Sequence, residues 1–271
     1  VLARPAEITG DWRLTMMLRN LLWWDGTQPP AAEIDDAVLP AGEVARLVGR
    51  SRDGAAVVLA IKAGHNAENH NQNDIGSFVL HVDGENLLTD PGRGLYSRQY
   101  FGPQRYDNIF ANSYGHSVPR IGGQLQAPGR AHRGELAEVN VEAEDNVKAA
   151  RVEFAQAYAV EQLTRATRTL AIEGKGIVVL TDAFEFTGNG EIVEEAFVTW
   201  GDVVAHGPTA AIRCGQRTLR LAIEEPAGAR FAIEALAEAC RANRRKGVLK
   251  RLTFIVPPAA ESTARVRMEM E

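Results

Sequence analysis

The chain has 271 residues and a formal net charge of −5 at pH 7. That balance argues against general attraction to nucleic acid, which rests on clustered Lys and Arg, and no stretch approaches the roughly 20 apolar residues of a membrane span. Its cysteines, Cys214 and Cys240, are too few for a disulfide framework and not spaced as a zinc pair, so they read as buried thiols.

The first predicted element is a helix over residues 9–24. Trp12, Met16, Leu18, Leu21 and Leu22 recur at helical spacing, Thr9 or Asp11 supplies a start signal, and Asp25-Gly26 with Pro29-Pro30 ends it. Its tryptophans, including the pair Trp23-Trp24, read as packing surface first and as sugar-stacking rings second. From Val38 onward the pattern changes to short alternating runs. Strands are predicted at 44–48, 56–61, 77–82, 87–89, 135–141, 149–158, 162–172, 176–186, 192–200, 210–214, 218–223, 251–256 and 264–270, with 229–236 open between strand and helix. Gly-, Asp- and Asn-containing turns between several of them suit antiparallel sheets. The expected fold is mainly β, a large antiparallel β-sandwich of two many-stranded sheets with a short N-terminal helical segment.

One stretch does not fit a core. Residues 64–78 read Gly-His-Asn-Ala-Glu-Asn-His-Asn-Gln-Asn-Asp-Ile-Gly-Ser-Phe, and imidazoles, amides and carboxylates packed beside a strand are costly to bury unless each finds a partner. His70, Gln72 and Asp74 share one parity, so an extended backbone would point all three to the same side. Asp90 closes the run Leu87-Leu88 before the turn Pro91-Gly92, a good place for a fixed carboxylate. Between Pro91 and Arg133, the basic residues Arg93, Arg98, Arg105, Arg120, Arg130 and Arg133 face only Asp107 as an acid, a patch able to hold carboxylates or sulfates. His65 is off the parity of His70 and reads as a turn residue. His81, His132 and His206 carry no predicted role.

These pieces resemble the C-terminal domain of the heparinase II/III-like polysaccharide lyases. The matching residues are His70, Asn71, Asn73, Asp74, Gly76, Ser77 and Phe78, then Asp90-Pro91-Gly92, Arg105-Tyr106, His116 and Gly122-Gly123-Gln124. Their order and spacing over about sixty residues make the combination specific. The resemblance implies β-elimination on a uronic-acid-containing polysaccharide, with His70 at the catalytic face, Arg105, Tyr106, Asn71 and Asn73 toward substrate, and Gln72, Asp90 and His116 as the set that holds zinc. Here the chain departs from the family pattern. Gln72 stands where relatives have a second histidine, and glutamine is a poor zinc ligand beside imidazole, thiolate or carboxylate.

The resemblance also implies that residues 1–37 are the remnant of a preceding helical toroid with its linker, and that 38–271 form the sandwich. The chain begins with Val1 rather than Met, in keeping with a C-terminal piece of a longer protein. Relatives draw a catalytic tyrosine and an Asn or His from the toroid. The partners implied are an acidic polysaccharide and the chain's own N-terminal helical domain, in a periplasmic or secreted setting. The rival reading is a non-catalytic carbohydrate-binding or structural β-sandwich module. No Gly-any-Ser-any-Gly elbow occurs to support a Ser-His-Asp hydrolase.

Overall fold

The structure, a computed structural model, describes residues 14–27, 33–142 and 147–271. It divides into two compact units, residues 1–34 and 35–271. In the first, Leu14–Trp23 is a helix that buries none of its residues. Arg19 stacks on the Trp23 ring at 5.0 Å, and Trp24 Nε1 donates to Thr27 O at 2.9 Å. The expected start signals Thr9 and Asp11, and Trp12, lie outside the described residues.

The second unit is built from strands whose burial alternates as their sequences do. Phe78–Val82 buries Phe78, Leu80 and Val82, and Ala56–Lys62 buries Val57, Leu59 and Ile61. Nine strands make the largest sheet, in the order Asp202–His206, Thr209–Cys214, Arg217–Glu225, Glu261–Met270, Ile177–Phe186, Leu163–Glu173, Lys148–Glu153, Gly129–Asn140 and Gly64–Asn66. A five-stranded sheet runs Ala37–Leu39, Val44–Arg50, Ala56–Lys62, Phe78–Val82, Glu85–Leu88, and a four-stranded one runs Ala232–Ala235, Lys250–Val256, Val193–Thr199, Arg120–Ile121. Every pairing is antiparallel.

The expectation of two many-stranded sheets thus resolves into three hydrogen-bonded sheets. Two of them meet edge to edge, because Thr89 N donates to Val198 O at 3.1 Å just past the end of Glu85–Leu88. One contiguous apolar core draws residues from all three sheets, among them Leu47, Phe78, Leu170, Phe184, Phe197 and Phe254.

Two local expectations are corrected and one open segment is resolved. The strand expected from residue 77 begins at Phe78, and the expected strand 149–158 ends at Glu153, with a 3₁₀ turn following at Ala155–Ala157. The open segment 229–236 is a strand at Ala232–Ala235, followed by an unforeseen six-residue helix, Ala237–Ala242. The edge strand Asp202–His206 also went unforeseen: its apolar run is only Val203-Val204-Ala205, and Val204 falls on the exposed side, so no clear alternation marks it. Of the two thiols, Cys240 is buried and Cys214 only half-buried.

Candidate functional site

The polar stretch 64–78 is a crossing between layers. Ala56–Lys62 ends in the five-stranded sheet, Gly64–Asn66 then pairs with Gly129–Asn140 in the nine-stranded sheet, and the chain returns to the five-stranded sheet at Phe78. The base of the excursion is clamped by Lys62 N to Ser77 O (3.2 Å) and Gly76 N to Lys62 O (2.9 Å). Residues 71–77 form no strand: His70 lies in a turn at φ 60°, the chain bends at Asn73, and Ile75-Gly76 turn with Ser77 N bonded to Asp74 O at 2.9 Å. His70 is therefore exposed while Asp74 is buried, and the shared-parity argument for His70, Gln72 and Asp74 fails. What brings polar groups together is the folding of this loop against residues 90–126.

Amides hold that fold. Asn73 N donates to Ala111 O (2.9 Å), Asn73 Nδ2 to Gln126 O (3.2 Å), and Asn71 Nδ2 to Asn73 Oδ1 (3.1 Å). The buried Gln126 side chain bonds both the N–H and the carbonyl of Ile75. Asn71 and Asn73, expected toward substrate, are buried and bonded within the loops. His65 takes the turn role, accepting at Nδ1 from Ala67 N at 3.2 Å.

His70 stands apart from its neighbours. It is exposed and sits at φ 60°, in the left-handed region that few non-glycine residues adopt. Arg105 Nη2 donates to the carbonyl of the next residue, Asn71, and Nη1 to Tyr100 O at 3.3 Å, while its guanidinium lies 4.6 Å from the Tyr100 ring centroid. Arg105 therefore braces the turn that presents His70. Tyr106 is half-buried, and its carbonyl accepts from Asn112 Nδ2 at 2.9 Å.

Asp90, His116 and Asp74 converge, with one potential ligand atom from each lying within 4.8 Å of the others. Asp90 follows the strand Glu85–Leu88 and is fixed by an Asx turn in which Oδ1 accepts from Gly92 N at 2.6 Å. That leaves Oδ2 3.6 Å from His116 Nδ1. His116 ends the 3₁₀ turn Ser113–Gly115, which Asn112 caps by accepting from Tyr114 N at 2.9 Å. At Gly115 a β-carbon would strike the Ile109 carbonyl oxygen, so the turn requires glycine. Asp74, one of the residues that match the family pattern, is buried beside the pair and also accepts from Lys62 Nζ at 2.7 Å.

The imidazole of His116 is fully buried with neither nitrogen hydrogen-bonded, and Gln72 Oε1 is likewise buried without a partner. Unpaired buried polar atoms are rare because each forfeits its hydration. A cation answers this arrangement, since it would take the lone pair of a neutral imidazole, the free oxygen of Asp90 and the Asp74 carboxylate together. The donor set of Asp74, Asp90 and His116 could hold a metal, with Asp74 joining the expected Asp90 and His116.

A second buried cluster, unforeseen from the sequence, holds the site loops from behind. Arg168, fully buried, donates to Asp182 (2.9, 3.1 and 2.5 Å) and Glu195 (3.2 Å), and also to Gly76 O (2.9 Å) and Ser117 O (2.6 Å). Gly76 lies two residues after Asp74, and Ser117 directly follows His116. The guanidinium is flanked by the Phe78 and Phe154 rings at 5.6 and 5.9 Å. Burial, followed by the adjacent Asp182 charge, pushes the Glu195 carboxyl well above its ordinary range. Burial opposes the Arg168 charge, but the Asp182 ion pair more than compensates and raises its pKa. The signal was available: Arg168 falls on the buried parity of Ala166, Leu170 and Ile172, and Asp182 on that of Leu180 and Phe184, directly opposite it in register.

The profile of the heparinase II/III-like family, C-terminal domain, matches residues 34–253. The chain belongs to that family. Among solved structures it is similar to a heparinase III gene product (15% identity, TM-score 0.71) and to the heparan sulfate lyase HepC from Pedobacter heparinus (14% identity, TM-score 0.70), each over 96% of this chain and 40% of the other. Another heparinase III structure aligns at 18% identity and TM-score 0.65, over 88% of this chain and 37% of the other. The chain thus spans about 40% of the length of these neighbours. No curated protein matches it.

Proposed function

We propose that this chain is the C-terminal sandwich domain of a polysaccharide lyase that cleaves a uronic-acid-containing polymer by β-elimination. The domain supplies one face of the cleft, and a preceding helical domain supplies the other. The observation that carries the reading is the family match together with the convergence of Asp74, Asp90 and His116, beside an exposed His70 on the same loop as Asp74. β-Elimination requires a neutralised uronate carboxylate, a base for the C5 proton and an acid for the leaving O4. His70 contributes acid/base or charge-neutralising help at that face, and Arg105 with Tyr106 lines the approach while bracing the His70 turn. Zinc is the metal proposed for Asp90, His116, Asp74 and Gln72, where it supplies a structural cross-link between the three loops. Localisation follows the substrate: periplasmic or secreted.

The test is formation of an unsaturated uronate, followed by ultraviolet absorbance, when the protein in its full-length context meets heparan sulfate, alginate or hyaluronan. His70→Ala should lower turnover by roughly 10²–10⁴-fold, the usual range for a lost acid/base group. Retained binding with no product from any uronate polymer would contradict the lyase reading. It would favour the alternative of a non-catalytic carbohydrate-binding module, which Gln72 supports as a weaker ligand in the family's histidine position.

A further inference from the structure

Lys62 reaches the candidate metal set from outside the three loops that form it. It is the last residue of the strand Ala56–Lys62, and its Nζ donates to Asp74 Oδ1 at 2.7 Å. Asp74 is also one of the three residues whose ligand atoms lie within 4.8 Å of one another. One carboxylate therefore faces two claims, the ammonium beside it and a cation held jointly with Asp90 and His116.

The lysines that pair with carboxylates among the described residues are Lys62, Lys148 and Lys250, and they are not held alike. Lys148 Nζ donates to Val48 O at 2.9 Å as well as to Asp36 at 2.5 Å, and Lys250 Nζ to Gly201 O at 2.6 Å as well as to Asp202 at 3.4 Å. Among the described residues Lys62 Nζ bonds Asp74 alone. Its side chain is 36% exposed against 7% for Asp74, so the ammonium lies toward water and the carboxylate inside. Lysine is a strongly hydrated point charge on a flexible stem, and release of this single contact returns it to solvent. The loop keeps its place without that contact, because Lys62 N to Ser77 O and Gly76 N to Lys62 O clamp its base through the backbone.

Charge decides which claim prevails. Asp74 and Asp90 bring two carboxylates and His116 a neutral imidazole, so a divalent ion balances the set by itself. An ammonium kept against Asp74 then adds a surplus positive charge next to a fully buried imidazole, where like charges repel more strongly than in water. In the chain stripped of metal, the same ammonium offsets one of two neighbouring carboxylates and stabilises the loop.

We infer that Lys62 is a resident counter-cation of Asp74, which competes with the metal for that carboxylate and swings out to solvent when the metal binds. It holds the loop before metal arrives and lowers the affinity of the site. This inference deepens the metal reading proposed above and rests on it. The opposite role is a buttress, in which the hydrogen bond from Lys62 orients the carboxylate and strengthens ligation, as groups around ligating side chains commonly do.

The test is zinc titration calorimetry on the chelator-stripped wild type and its Lys62→Met and Lys62→Gln variants, with a thermal melt of each. Methionine removes both charge and donor, whereas glutamine removes the charge and keeps a donor. Competition predicts that both variants bind zinc about tenfold more tightly than the wild type and melt about 2–4 °C lower before zinc is added. Acetylation of Lys62 by acetic anhydride, followed by peptide mass spectrometry, should run several-fold faster in the wild type once zinc is present. Weaker binding in Lys62→Met with wild-type affinity in Lys62→Gln would identify a buttress. That result, unchanged affinity in both variants, or an acetylation rate that zinc does not raise overturns the competition and leaves the metal site standing. Zinc bound by none of the three proteins overturns both.

Discussion

The molecule holds two buried clusters of charged and polar groups, and they are finished to different degrees. In the Arg168 cluster, two carboxylates and two backbone carbonyls receive the guanidinium, so every nitrogen of the central charge is bonded and Glu195 Oε1 is the atom left without a partner. In the Asp74–Asp90–His116 cluster, a fully buried imidazole has no hydrogen bond, Gln72 Oε1 has none, and Asp90 is 41% exposed in its side chain. Both cost desolvation. A cluster whose central group is fully bonded holds structure, whereas one whose central imidazole has both nitrogens idle is arranged for something from outside.

The sharpest way to break this comparison is to remove the guanidinium. Arg168→Met strands Asp182 and the Gly76 and Ser117 carbonyls, and should cost about 3–5 kcal/mol, the usual range for breaking a buried pair. Urea unfolding measures it, and a loss below about 1 kcal/mol would mean the cluster does not hold the loops.

The other cluster should respond to a ligand instead. Zinc at a hundredfold over its Kd should stabilise the wild type by about 2.7 kcal/mol. Asp90→Asn keeps the Asx-turn oxygen, so it should change metal-free stability by no more than about 0.5 kcal/mol while abolishing the zinc-induced shift in Tm. An equal shift in wild type and variant would remove Asp90 from the ligand set.

Asn112→Ala removes the cap of the turn that delivers His116 and should cost about 1 kcal/mol. Zinc affinity should fall with it if the turn positions the imidazole, and titration calorimetry reads both effects. The smallest effect concerns Glu195. Its folded pKa lies above the unfolded value near 4.5, so its contribution to stability is complete below that value and is lost as pH rises toward the folded pKa. Glu195→Gln mimics the protonated form. Its stability relative to wild type should therefore improve as pH rises above 4.5, and a difference flat with pH would contradict a raised Glu195.

Most of the strand frame was legible because buried parity is written in period two: Val57, Leu59 and Ile61 announce their face without help. Asp202–His206 was not, because it is five residues long and the apolar Val204 stands on its exposed side, which blurs the period. The site was legible as composition and family pattern, but not as geometry. Parity suggested that His70, Gln72 and Asp74 share a side, whereas the turn at His70 and the bend at Asn73 leave His70 exposed and Asp74 buried near Asp90. Which residues meet there depends on contacts across tens of residues, such as Asn73 N to Ala111 O and Gln126 to Ile75, and no local pattern encodes those. The pairing of Arg168 with Asp182 needed only parity and register, and two charges on core parity in neighbouring strands were the available clue.

The measurement that bears most directly on the unfinished cluster is metal content by elemental mass spectrometry, on the purified chain and on His116→Ala, after incubation with zinc and dialysis. Circular dichroism would confirm that both are folded. The account predicts about one zinc ion per wild-type chain and little in the variant, as expected of a site with a single imidazole and supporting oxygens. Two metal-free proteins would contradict it, leaving the idle nitrogens of His116 without a ligand to explain them.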